Sequence, residues 1–208
     1  MDALSALQAR VSAKHFDPAR KLSEAEIKEL IGYATEAPSS YNIQHWRFIA
    51  VTEQSAKERL QAVAYGQPQV TTAAVMFIVL GDLRGYEKLR EILQQAVAGG
   101  EMTAEMADGW VGQATGFYTG NEQLMRDEAI RSSSLAAMSL MVAAQAKGLA
   151  SGPMIGFDPA GVKREFNIPE HYVPVMLVAV GYAAQGNTPR KPRLAVDEVL
   201  SFNEGREF

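Results

Sequence analysis

The sequence contains no cysteine, which removes disulfides, thiolate catalysis and cysteine-ligated metal in one step. That absence fits a reducing compartment. Its histidines, His15, His45 and His171, nowhere show a His-x-x-x-His spacing, so no zinc site is expected. No stretch of about 18 apolar residues exists, and no membrane-crossing helix is predicted. The N-terminus lacks a basic segment followed by an apolar run, so no signal peptide is expected. No Gly-x-Gly-x-x-Gly follows a strand and no Walker-type loop is present, which argues against a Rossmann or P-loop nucleotide site. The serine run Ser132-Ser133-Ser134 falls inside a helical segment, where no nucleophile elbow can form. A net charge of −4 is too mild to advertise a nucleic-acid or membrane surface. These absences lead to the expectation of a cytoplasmic protein with neither nucleic acid nor membrane as partner.

What remains is an ordinary globular composition. The chain has 208 residues, 47% hydrophobic and 21% charged, which suits one domain spanning 1–208 with a full core. Ala3, Leu4, Leu7 and Val11 recur at helical spacing, so the first dozen residues read as an amphipathic helix. Ser23 and Glu26 form a capping-box pattern ahead of a second helix with Ile27, Leu30, Ile31 and Ala34 on its buried stripe. Trp46 to Thr52 reads as a strand, and Leu60 to Ala64 as helix. Val75 to Leu80 is a continuous apolar run, the pattern of a strand covered on both faces. Residues 84–125 carry helical stretches broken by Gly99, Gly100, Gly109, Gly112, Gly116 and Gly120, and read as an excursion from the core. Arg126 to Lys147 is a strong helix. Between Leu135 and Ala146 it is apolar nearly all round, so its burial calls for a partner subunit on one side. Met138 and Met141 read as core or dimer filler. Asp158-Pro159 opens a short helix, and Val173 to Tyr182 is another buried strand, with Pro174 tolerable at its start. From Gly186 the tail is Pro-rich and should run over the surface. The element order argues for an α+β fold with a central sheet.

Two groups of residues suggest chemistry. Arg10, Ser12 and Lys14 alternate at the end of the first helix, and Lys191 and Arg193 lie near the opposite end of the chain, stiffened by Pro189 and Pro192. Taken alone, such cations most often form a solvated surface. Brought together, they would surround one phosphate, for which charge-assisted bonds from Arg and Lys are strong. The second group is Ala37-Pro38-Ser39-Ser40-Tyr41-Asn42-Ile43-Gln44-His45-Trp46. A capped turn alone accounts for some of it. So many hydrogen-bonding side chains crowded before a buried strand also suit a ligand with many polar edges. Gln67 and Gln69, ahead of the apolar strand, read either as a polar loop or as part of a site. His45 reads as structural, and His171 with Glu170 as a surface pair.

The motifs resemble one family. Arg-x-Ser-x-Lys-x-Phe at 10–16, Pro-Ser-Ser-x-Asn-x-Gln-x-Trp at 38–46, Gly-Pro-Met-Ile-Gly-Phe at 152–157 and Lys-Pro-Arg at 191–193 are similar, in order, to the motifs of FMN-dependent, oxygen-insensitive nitroreductases. The resemblance implies a nitroreductase-like fold: a mostly antiparallel sheet flanked by helices, in an intertwined homodimer with two FMN molecules at the interface. It implies that Arg10, Ser12, Lys191 and Arg193 hold the FMN phosphate, with Lys14 near the flavin pyrimidine or ribityl chain. Pro38, Ser39, Ser40 and Asn42 would line the flavin, part of this wall coming from the second subunit. Pro153, Ile155 and Gly156 would pass along the redox edge, and Gln67 and Gln69 would read the pyrimidine edge. Hydride chemistry would belong to the flavin, with no catalytic side chain. NAD(P)H would reduce it and leave, and a nitroaromatic, quinone or similar small electron acceptor would follow in a ping-pong exchange. The chain departs from many relatives at Val11, often basic, and Ile155, often Glu. No motif marks the 84–125 segment, which in the family shapes the substrate mouth. A dehalogenase or enoate-type reductase, or a non-catalytic flavin-binding protein, therefore stays open.

Overall fold

The computed structural model describes residues 2–208. Its centre is a four-stranded antiparallel sheet in the order β1-β2-β4-β3, built from β1 (Trp46–Val51), β2 (Val75–Asp82), β3 (Ala150–Met154) and β4 (Tyr172–Gly181). Alternation along β2 explains its unbroken apolar run. Met76, Ile78 and Leu80 face one core layer, with Leu60, Val70, Phe157 and Val162. Val75, Phe77 and Val79 face the other, with Ile27, Leu30, Leu140 and Met141. A strand buried on both faces has no polar positions to alternate. The pairing of β2 with β4 slips after Val79, so that Leu80 stands opposite Pro174. A bulge there accommodates a residue with no N–H to give to a ladder.

Helices cover both faces. The first layer is made by α3 (Gln54–Val63), the single-turn α4 (Gln69–Thr72) and α8 (Pro159–Glu165). Gln69 thus opens a short helix rather than lying in a plain loop. Lys57, fully buried on α3, donates to the carbonyls of Ala73 and Ala74 at 2.6 and 3.0 Å, and burial pushes its ammonium pKa down. The second layer is made by α2 (Glu24–Thr35), whose capping box between Ser23 and Glu26 forms as the sequence suggests, and by α7 (Glu122–Ala146). The latter starts before Arg126 because Gly120, in the left-handed region, turns the chain so that Asn121 accepts from the Leu124 N–H. The first helix, α1 (Ala3–Ala9), is shorter than its apolar spacing suggests, because Arg10 is already extended.

The segment 84–125 follows β2. It holds α5 (Leu89–Ala98) and α6 (Ala104–Tyr118), which enclose a separate cluster of Ile43, Leu89, Leu93, Ala107, Ala114 and Tyr118. The tail beyond Gly186 carries one short helix, α9 (Val196–Val199), and its apolar residues Leu194, Val196, Phe202 and Phe208 are exposed. Within one chain one side of α7 is left uncovered: Leu135 is 44% exposed on it. Along that side runs an apolar groove of about 520 Å³, lined by Ala3, Tyr33, Pro38, Leu135, Met138 and Val142 among others. Among the described residues, no helix is long and apolar enough to cross a membrane.

Close packing of α7 on β2 depends on Gly81. A Cβ there would lie 2.7 Å from the carbonyl oxygen of Ala129. Gly81→Ala should cost about 1–3 kcal/mol of stability through overpacking, read as a lower urea midpoint. An unchanged midpoint would mean that α7 moves aside freely.

Candidate cofactor site

The two ends of the chain meet. After α1 the segment 11–16 runs beside β3, with a bridge between Ser12 and Ser151 and the Ala13 N–H donating to the Ser151 carbonyl at 2.9 Å. Gly152 is required for this approach, since a Cβ would collide with the Ala13 carbonyl. The returning tail is fastened to the same segment. The Asn187 side chain accepts from the N–H groups of Lys14 and His15 at 2.8 and 3.0 Å and donates to the His15 carbonyl at 2.7 Å. Arg190 donates to the carbonyls of Leu7 and Gln8 at 2.8 and 2.9 Å, and also to that of Arg10. These acceptors are the unpaired carbonyls at the end of α1, where a cation is favoured.

The result is one pocket of about 320 Å³ lined by Arg10, Val11, Ser12, Lys14, Thr188, Pro189, Arg190, Lys191 and Arg193. It holds five cationic side chains and no carboxylate. The Arg10 Nη1 is buried with no hydrogen-bond partner among the described residues. Burial first, then the nearby Arg190 and Arg193, lower the pKa of the Arg10 guanidinium. Like charges held together around an orphaned donor fit an anion with several acceptor oxygens, such as a phosphate monoester. Arg10, Ser12, Lys14, Lys191 and Arg193 are therefore brought together. Arg190 and Thr188 were missed by sequence reasoning. Arg190 sits beside the Lys-Pro-Arg motif, but its carbonyl partners are at the far end of the chain.

β3 leads from this pocket to the turn at 153–156. The Gln67 side chain donates to the Gly156 carbonyl at 2.7 Å, and the buried Gln69 donates to Gln67 Oε1 at 2.9 Å. The two amides and the turn thus form one connected group. Ile155 is 82% exposed, so its side chain is not needed to hold the turn. The sequence reading identified the 152–157 turn but missed the strand β3 that enters it. Ala-Ser-Gly-Pro-Met carries none of the β-branched or aromatic residues that mark strands.

The loop 38–44 lies apart. Among the described residues no hydrogen bond joins it to the cationic pocket or to the 153–156 turn, and Pro38 lines the apolar groove along α7 instead. Tyr41, Asn42 and Gln44 adopt left-handed φ values of 50°, 57° and 55°, unusual for residues with side chains. Ser39 Oγ accepts from the Gln44 N–H at 2.9 Å, and Arg47 donates to the carbonyls of Gln44 and Trp46 at 2.8 and 2.7 Å. Within one chain the candidate residues fall into two groups, one around the pocket and turn, the other in this loop.

The sequence matches the Nitroreductase family over residues 7–182. The chain belongs to that family. It is 39% identical over 182 residues to YodC of Bacillus subtilis (strain 168), whose name is that of an NAD(P)H nitroreductase, covering 88% of this chain and 90% of the relative. A protein of Exiguobacterium sibiricum 255-15, named as a nitroreductase and solved in complex with FMN, shares the fold at a TM-score of 0.91 and 30% identity, covering 97% of each chain. A CLA biosynthesis enone reductase from Lactiplantibacillus plantarum is 31% identical over 180 residues, covering 85% of this chain and 83% of the relative. The α+β architecture read from the order of elements is thus that of the nitroreductase fold.

In this nitroreductase-family chain His45 anchors the strained loop to the sheet. Its ring is fully buried, and Nδ1 donates to the Asp82 carbonyl at 2.8 Å, which leaves Nε2 as an unpaired lone pair. Burial lowers its pKa below the usual 6.5, against the smaller opposing pull of the Asp82 carbonyl bond and the carboxylates of Glu128 and Asp82. The unfolded chain therefore binds a proton that the folded chain refuses. Stability contributed by neutral His45 is full above pH 6.5 and is lost as the pH falls from about 6.5 toward the depressed folded value. His45→Gln should flatten that loss in urea melts between pH 7 and 5. An equal slope in both proteins would place the titrating group elsewhere.

Proposed function

We propose that this chain is an FMN-dependent NAD(P)H oxidoreductase, a cytoplasmic homodimer that reduces nitroaromatics, quinones or similar electron-poor acceptors. The observation that carries the reading is the pocket shared by Arg10 and Arg193, with the Arg10 Nη1 buried and unpartnered inside it. Arg10, Ser12, Lys191 and Arg193 would hold the FMN phosphate, with Arg190 bracing the backbone at Arg10. Lys14, one alternation further along, would place its cation near the ring or ribityl chain and favour negative charge there. Pro153, Ile155 and Gly156 would face the redox edge, kept in place by Gln67 and Gln69. Bound there, FMN would supply two-electron redox chemistry between NAD(P)H and the acceptor. The protein binds, orients and excludes water.

Homodimerisation is supported by the separation of the loop 38–42 from the pocket. Pro38, Ser39, Ser40 and Asn42 would complete the site of the second subunit, across an interface formed by the apolar side of α7. The exposed apolar residues of the tail suit the same role. A second reading, reduction of an activated carbon–carbon double bond, draws support from the similarity to the enone reductase. Comparing turnover with a quinone and with an enone separates the two.

Arg10→Ala and Arg193→Ala should each weaken FMN binding about tenfold or more, since a hydrogen bond to a charged group contributes roughly 1.5–3 kcal/mol. The urea midpoint of the apoprotein should change little. FMN titration by flavin fluorescence checks this, and wild-type affinity in both variants would sink the site assignment. Leu135→Glu should yield a monomer by light scattering that has lost its FMN. A monomer that keeps FMN tightly would show that one chain suffices.

A further inference from the structure

We infer that Tyr118 is a positioning residue for the cofactor wall: by holding the Ser40 hydroxyl, it makes the α5–α6 excursion the clamp that keeps the left-handed loop 39–44 in shape. The inference rests on the reading of Ser40 and Asn42 as residues that face the flavin.

Three side-chain-bearing residues in the left-handed region persist only where surrounding structure over-determines them. Backbone bonds from the Asn42 N–H to the Ser39 carbonyl and from the Ile43 N–H to the Ser40 carbonyl, at 3.1 and 2.9 Å, close one turn of the loop. Ser39 Oγ and Arg47 hold its C-terminal end at Gln44 and Trp46. The side chains of the turn itself are held from the excursion. Tyr118 Oη lies 2.7 Å from Ser40 Oγ, across 78 positions of sequence. Next to it Tyr41 meets the edge of Trp110, ring centroids 6.1 Å apart. Ile43, fully buried, packs in the cluster of Leu89, Leu93, Ala107 and Ala114. Ser40, Tyr41 and Ile43 thus each have a partner on the excursion.

Tyr118 is suited to this task. It is 1% exposed. Its ring is stacked on Tyr86 at 5.6 Å and meets Phe117 edge-on at 5.5 Å and His45 at 6.1 Å. A ring so confined has one direction in which to send its hydroxyl. A phenol is a better donor and a poorer acceptor than an alcohol, so Tyr118 donates and Ser40 accepts. The Ser40 proton is then left to be donated away from the excursion. Burial raises the phenol pKa, which keeps this donor protonated across the neutral range.

The test is a cycle of Tyr118→Phe, Ser40→Ala and the double variant in the holoprotein, read by FMN titration and by the visible circular dichroism of the bound flavin. Phenylalanine keeps the ring packing and removes only the hydroxyl. Tyr118→Phe should weaken FMN about 2- to 10-fold, the worth of one hydrogen bond, and change the flavin dichroism. Ser40→Ala should do the same, and the double variant should be no worse than Ser40→Ala. A Tyr118→Phe protein with wild-type affinity and dichroism, beside a weakened Ser40→Ala, overturns the clamp and leaves the flavin-wall reading standing. Additive losses also overturn it, because Tyr118 would then act by another route. Wild-type behaviour of Ser40→Ala removes Ser40 from the wall and the proposal with it. Should Tyr118→Phe fail to fold, Trp110→Ala, at an exposed position, loosens the neighbouring contact. It should change the dichroism, and an unchanged spectrum overturns the proposal.

Discussion

Mutual repulsion among cations crowded into one pocket is the constraint around which the rest of this molecule is arranged. Arg10, Lys14, Arg190, Lys191 and Arg193 sit together without a carboxylate among them. Among the described residues no salt bridge neutralises that charge, so the chain holds it by other means. The side chain of Asn187 stitches the tail to Lys14 and His15, and Arg190 draws on the exposed carbonyls at the end of α1. A bare glycine at 152 lets the N-terminal segment lie against β3. Each device spends structural precision on bringing together groups that would otherwise separate, which is the pattern of a site preorganised for an anion.

A second form of strain lies in the loop 38–44. There the cost is conformational rather than electrostatic, with three residues held left-handed. Two supports on either side share the load: the sheet, through His45 and Arg47, and the excursion, through Tyr118 and Ile43. Among the described residues no hydrogen bond joins this loop to the cationic pocket. In the homodimer proposed above, the apolar side of α7 would be the surface that brings the two groups together.

Much of the fold was legible because local pattern and tertiary role agree. The run VMFIVL announces β2 since both of its faces are covered. Ser23 and Glu26 announce α2 since a capping box is a local event. The misses share a different cause. β3 has no strand propensity of its own and exists because β4 on one side and Ser12 on the other supply its partners. α6 is obscured by Gly109, Gly112 and Gly116, which look out on open space and are tolerated there. The motif residues at both chain ends could be proposed as a group only through resemblance, since no periodicity links position 10 to position 193. Arg190 and Tyr118 were invisible for the same reason. Their partners, α1 carbonyls and the Ser40 hydroxyl, lie 180 or so and 78 residues away, and neither residue type is unusual where it stands.

The joining of the two termini also sets an order of events. A pocket whose walls are Arg10 and Arg193 cannot be finished until residue 193 has left the ribosome. The sheet and its helical layers, which end at Gly181, can assemble before that point. The folded body therefore precedes the cationic pocket, and the last wall to arrive is the one that closes it.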